Sequence, residues 1–210
     1  FCKNHKKSML KLIIDTAITP SFIAIAKNSE IIDSILIERN FLTSNKFIFE
    51  LDALLKKNNI LISQISYLCI GNGPGSYTGL RVGASIANAL FFAKKIPIIS
   101  FCSLMSYLPF KNGTFATLFD AKTGGVYTIF GKIFNGKILL ENISKPEKLS
   151  IEKATVKLQD VDNIISAHKT SLIKRFDDKT SSIKWNEGLI NFDSLLEIIN
   201  EKIDRKDFEK

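Results

Sequence analysis

Histidine is nearly absent from this chain, with two in 210 residues, and cysteine is scarce, with three. His5 and His168 cannot supply a His-x-x-x-His zinc site, and Cys2, Cys69 and Cys102 fit neither a metal-ligand spacing nor a disulfide framework. Cys69, inside an apolar run, reads as a small buried hydrophobe, and the sparse cysteine fits a reducing cytoplasm. No stretch approaches the roughly 18–20 uninterrupted apolar residues that span a bilayer as a helix. The Gly-x-Ser-x-Gly elbow of serine hydrolases is missing, so independent hydrolase activity is not expected. Acidic residues are missing from the first eleven positions, where Lys3, Lys6, Lys7 and Lys11 supply half of the net charge of +8. Asp15 interrupts the apolar run that follows, which makes a poor secretory signal. Residues 1–8, ahead of Met9, are expected to be leader or upstream sequence.

What is present suffices for a core: 45% of residues are hydrophobic and 10% aromatic, enough for one large domain or two small lobes. Leu10–Thr16, Phe22–Lys27 and Ile31–Glu38 read as three strands, the last two forming a hairpin about Asn28-Ser29-Glu30. Thr43 or Ser44 can cap a helix through Asn58, with Phe47, Leu51, Leu54 and Leu55 at helical spacing. A strand at 65–70 leads into a glycine loop and a helix at 78–94, followed by a strand at 96–100 and a short helix at 102–107. The first half is thus βββαβαβ, an α/β lobe. Beyond a boundary near Leu108–Gly113, strands are expected at 114–120 and 126–134. A type I′ turn at Asn135-Gly136 leads into another at 137–141. After Pro146 the pattern is less regular, with a strand at 162–167 and a closing amphipathic helix at 191–202 assigned to the second lobe.

The loop Gly71–Gly79 admits two readings. Glycines before a helix let backbone amides meet an anion at the positive end of the helix dipole, or let the chain pack tightly at a corner. Ser76 stands where a dinucleotide fingerprint needs its third glycine, and no lysine is present for a P-loop. Packing is the preferred reading. Asp15 and Asp120, each ending a strand, could face a metal-bound nucleotide, but Thr16-Ala17-Ile18-Thr19-Pro20 offers no glycine to admit a phosphate. Turn capping is preferred for both. The helix at 78–94 is apolar nearly all round, so it needs cover on more than one side, from the helix at 44–58 or from another chain.

Gly73-Pro74-Gly75-Ser76-Tyr77-Thr78-Gly79-Leu80-Arg81-Val82-Gly83 resembles the signature of the bacterial TsaB (YeaZ) family. Ile14-Asp15-Thr16, the segment Ile96–Leu104 and Asp120-Ala121-Lys122 follow in the family's order. The similarity covers residues 9–130 well and is weak beyond Pro146. It implies the duplicated fold shared by actin, sugar kinases and chaperone ATPases, with a reduced second lobe at 109–210 beside a first lobe at 9–108. It also implies a non-catalytic subunit in tRNA threonylcarbamoyladenosine formation, a degenerate paralogue of the TsaD catalytic subunit. In that family the two first-lobe helices bind TsaD, and TsaE joins with ATP. The implied partner-binding residues are Phe47, Leu51, Leu54, Ala84, Asn88 and Phe91. A homodimer is expected when TsaD is absent, with tRNA met only indirectly, no metal, and no cofactor bound by this chain alone. Ala17 replaces the family's usual serine, and Thr123-Gly124-Gly125 its Arg-Gly-Glu, which weakens any nucleotide site. Two other classes remain open: an autonomous ATPase or phosphotransferase using Asp15, Asp120 and the glycine loop, and a tRNA-binding module using the basic surface.

Overall fold

The computed structural model describes residues 8–38, 44–176, 180 and 183–206. Thr43 and the side chain of Ser44, expected as helix caps, lie outside the described residues, as do positions 1–7 of the expected leader. The chain opens with three antiparallel strands, β1 (Leu10–Asp15), β2 (Ser21–Lys27) and β3 (Glu30–Ile37). Then come α1 (Ser44–Lys57), β4 (Ile65–Gly71), α2 (Tyr77–Lys94) and β5 (Ile98–Phe101), with β4 parallel to both β1 and β5. A 3₁₀ turn at Ser103–Ser106 ends this half.

The second half repeats the plan. β6 (Gly113–Asp120), β7 (Val126–Ile133) and β8 (Glu147–Leu149) form the antiparallel meander. α3 (Ile151–Leu158), β9 (Asn163–Ser166), α4 (Lys169–Phe176) and β10 (Lys184–Glu187) follow, with β9 parallel to β6 and β10. The sheet orders β3-β2-β1-β4-β5 and β8-β7-β6-β9-β10 are therefore the same topology twice. The duplicated actin-like fold is present, and the second copy is the shorter one: α3 and α4 have 8 residues each against 14 and 18 in α1 and α2. The stretch after Pro146 is more regular than the sequence pattern suggests. The strand expected at 137–141 does not form; its turn does, with Asn135 and Gly136 at positive φ and a single Phe134–Lys137 bridge, but a 3₁₀ turn takes over at Leu140.

Alternation along the strands explains the layering. Leu12, Ile14, Ile23 and Ile25 face outward with Phe47, Leu51, Leu54, Leu55, Ile86 and Ala87, so α1 and α2 cover one face of the first sheet. Ala116, Leu118 and Ile164 do the same for the second sheet with Ala154, Leu158, Leu172 and Phe176 of α3 and α4. The inner faces share one core, into which α5 (Phe192–Asp204) is inserted. Leu195, Leu196, Ile198, Ile199 and Ile203 are all buried there, a stripe too wide to be covered by one sheet. α5 was expected with the second lobe, yet it packs on β3, β5 and the 3₁₀ turn of the first. It also ties the halves by polar contacts: Asn200 Nδ2 donates to Ser29 Oγ at 3.3 Å, and Leu140 N donates to Glu201 Oε2 at 3.0 Å. Among the described residues no helix is long and apolar enough to cross a membrane.

Candidate functional site

The glycine loop is a packing corner. A Cβ on Gly75 would stand 2.2 Å from the Ala17 carbonyl oxygen, and one on Gly79 would stand 1.9 Å from that of Thr16. Only glycine permits this approach of the α2 start to the β1–β2 turn. The turn also takes up polar groups that an anion would need. Ser76 N donates to Ala17 O at 2.6 Å, and the Thr16 hydroxyl donates to Gly79 O at 2.7 Å. The Ser76 hydroxyl, as N-cap, accepts from Gly79 N at 3.3 Å. Of the signature residues, Gly73, Pro74, Gly75, Ser76 and Gly79 thus build the corner, with Gly73 N held by the Ser103 hydroxyl. Tyr77, Thr78 and Arg81 lie on the exposed first turns of α2, where the Arg81 guanidinium sits 5.7 Å from the Tyr77 ring centroid.

The corner forms one wall of a cleft of about 510 Å³ between the halves, whose other wall includes Phe119, Asp120, Lys122, Tyr127 and His168. Asp15 and Asp120 end the equivalent strands β1 and β6. Each caps its own turn, Asp15 Oδ1 accepting from Ala17 N at 2.8 Å and Asp120 Oδ1 from Lys122 N at 2.8 Å. Their charges are handled in opposite ways. Asp15 is fully buried, its Oδ2 has no hydrogen-bond partner, and burial pushes its pKa up to about 6. The Ala17 amide and the nearby Ser103 hydroxyl offset only part of that. Burial also disfavours the Asp120 carboxylate, but the Lys122 amide, the Arg175 and Lys122 charges and the Ser171 hydroxyl together hold it below the usual range. Arg175 donates to Asp120 Oδ1 and, at 3.1 Å, to Gly125 O.

His168 also belongs to this arrangement: its Nδ1 accepts from Asp120 N at 3.1 Å, so Nε2 carries the ring hydrogen of the neutral form. Its ring meets Phe119 edge-on at 5.7 Å. His168, Ser171 and Arg175 carry no motif in the sequence; only the matching ends of the duplicated strands point to them. Among the described residues, no group of three or more His, Cys, Asp or Glu could hold a metal ion.

The structure divides the six expected partner-binding residues. Phe47, Leu51 and Leu54 lie on the inner side of α1, buried against the first sheet, and are corrected to core residues. Ala84 and Asn88 are exposed on α2, and Phe91 is half-buried beside Phe92. The outer apolar side chains are instead Ile48 and Phe49 on α1 and Tyr77 and Phe92 on α2, with Phe49 78% and Phe92 71% exposed. A helical pattern as broad as Phe47-Ile48-Phe49 marks two faces, and only the packing shows which is inside.

The family model described as TsaD: tRNA N6-adenosine threonylcarbamoyltransferase matches residues 44–190. The tRNA threonylcarbamoyladenosine biosynthesis protein TsaB of Bacillus subtilis (strain 168) is 29% identical over 175 residues, spanning 80% of this chain and 74% of that one. The protein of the same name from Buchnera aphidicola subsp. Schizaphis graminum is 26% identical over 196 residues, 90% of each chain. In fold, the chain is similar to YeaZ from Pseudomonas aeruginosa, with a TM-score of 0.76 at 16% identity over 96% of this chain and 95% of that one. Signature loop, duplicated topology, family model and relatives agree, and the chain belongs to the TsaB (YeaZ) family.

Proposed function

We propose that this chain is a non-catalytic subunit of the machinery that forms threonylcarbamoyladenosine in tRNA in the cytoplasm. In this reading it presents the outer faces of α1 and α2 to a TsaD catalytic subunit, and TsaE joins that pair with ATP held at a subunit junction. The observation that carries it is the fate of the two strand-end aspartates. One is buried without a partner for Oδ2, the other is committed to Arg175, so neither is placed to hold a metal-bound nucleotide. That arrangement speaks against the autonomous ATPase, and the several large apolar side chains left exposed on α1 and α2 favour a protein partner. Ile48, Phe49, Ala84 and Phe92 would be covered in the complex, and in TsaD's absence the same face would pair with a second copy. tRNA would be met through the assembly, with no cofactor held by this chain alone.

The test is reconstitution with the TsaD and TsaE of the same organism. Asp120→Asn should leave tRNA modification within about twofold of the unmodified chain, whereas Ala84→Glu combined with Phe92→Glu should abolish both TsaD capture and modification. Loss of modification in Asp120→Asn with TsaD capture intact would make the cleft catalytic and overturn the proposal.

A further inference from the structure

α5 does not cover the whole inner face of the second sheet. Toward the β10 edge, Lys184 pairs with Asn163 and Asn186 with Ile165, which puts these four side chains on one face. Ile165 belongs to the shared core, so the other three continue that face outward beyond it. The segment Leu108–Lys111, which joins the two halves, and Leu189, which precedes α5, complete the walls of a cavity of about 250 Å³.

The lining has two characters. Leu108 and Ile165 are buried, while Phe110 and Leu189 stay 67% and 65% exposed beside them, large apolar side chains left in water around one cavity. Lys111 and Lys184 are exposed, and among the described residues of the lining Glu187 is the acidic one, so these residues together carry one positive charge. Asn186 Nδ2 donates to Asn163 Oδ1 at 3.2 Å, which fixes the amides against the sheet. An apolar interior with a few convergent polar groups and one excess cation is the composition of a small-molecule site for an amphipathic anion. Size narrows the class: a dry cavity of about 150 Å³ holds benzene, so this one has room for a ring and a short acidic side chain.

We propose that this cavity binds a small aromatic monocarboxylate. The ring lies among Leu108, Ile165, Phe110 and Leu189, and the carboxylate pairs with Lys184 or Lys111. The site is on the second sheet and independent of the α1 and α2 faces that the TsaD reading uses.

The probe is 3-phenylpropionate, titrated into the full chain by calorimetry and by backbone amide NMR, with 3-phenylpropanamide as its neutral counterpart. The carboxylate should saturate with Kd of about 1 mM or tighter, and the amide should bind at least about tenfold more weakly. Shifts should concentrate at residues 108–111, 163–165 and 184–189. Lys111→Glu combined with Lys184→Glu should lose binding, and Phe110→Ala should weaken it several-fold. No saturation by about 10 mM, equal binding of the neutral amide, or shifts centred on the interlobe cleft would each overturn the proposal. If the double variant does not fold, the carboxylate-to-amide ratio and the shift map of the unmodified chain decide alone.

Discussion

Asp15→Asn should make this protein more stable at neutral pH, a reversal of what losing a strand-end aspartate usually does. The carboxylate is fully buried, its Oδ2 lacks a partner, and its pKa stands near 6 against an ordinary 3.8. The folded state therefore holds a proton there between those two values that the unfolded chain has released. Stability contributed by this group is full below the unfolded value and is lost as pH rises through the folded one. A displacement of about two pK units is worth about 3 kcal/mol. Asparagine keeps an oxygen for the Ala17 amide and carries no charge. Urea denaturation of both proteins between about pH 4 and pH 7.5 checks this, because the other titrating groups cancel in the difference. The variant should match the parent at the acid end and exceed it by up to about 3 kcal/mol at the neutral end, a Tm gain of roughly 5–10 °C. A stability difference that does not change across that range would refute the reasoning.

Arg175→Ala should cost about 2 kcal/mol at neutral pH, since it removes one charged partner of Asp120 while the Lys122 amide, the Lys122 ammonium and the Ser171 hydroxyl remain. The Asp120 pKa is depressed, so its stabilising share is lost as pH falls through the folded value, and the variant's stability curve should be flatter on that acid limb. Gly79→Ala should prevent native packing of the α2 start, because the new Cβ meets the rigid Thr16 carbonyl. Gly136→Ala, with open space but φ +70°, should cost only about 1 kcal/mol; circular dichroism melts separate the two. Phe47→Ala should lower unfolding free energy by about 3–5 kcal/mol, whereas Phe49→Ala, two residues on, should change it by less than about 0.5 kcal/mol.

The first half was legible because its elements are long and their apolar positions periodic; β1 to β3, α1, β4 and α2 all lie within a few residues of where pattern alone puts them. The second half was not, and α3 and α4 show why. Each buries two main anchors at i and i+4, Ala154 and Leu158 in one, Leu172 and Phe176 in the other, amid lysines that a pattern reading takes for a loop. Ser150, which caps α3 by accepting from Lys153 N, was the available signal. The surroundings of Asp120 were illegible for a different reason. His168 and Arg175 stand 48 and 55 positions away, and no spacing rule connects them. Which face of α1 is exposed was equally hidden, because Phe47, Ile48 and Phe49 are alike in chemistry and differ only in what covers them.

Duplication supplies the argument that local pattern could not. Because β1 and β6 occupy the same place in sheets of the same strand order, Asp15 and Asp120 are equivalent positions, and their environments can be compared directly. Both keep the i to i+2 turn cap, the part of the role that the backbone needs. Beyond that they diverge. The glycine corner closes over the first and strips its solvent, while Arg175 of α4 reaches the second and answers its charge from within the chain. The shared core and α5 hold the halves together around the cleft that Asp120 lines. On the docking role proposed above, the exposed apolar residues of α1 and α2 are where substitutions should separate function from stability.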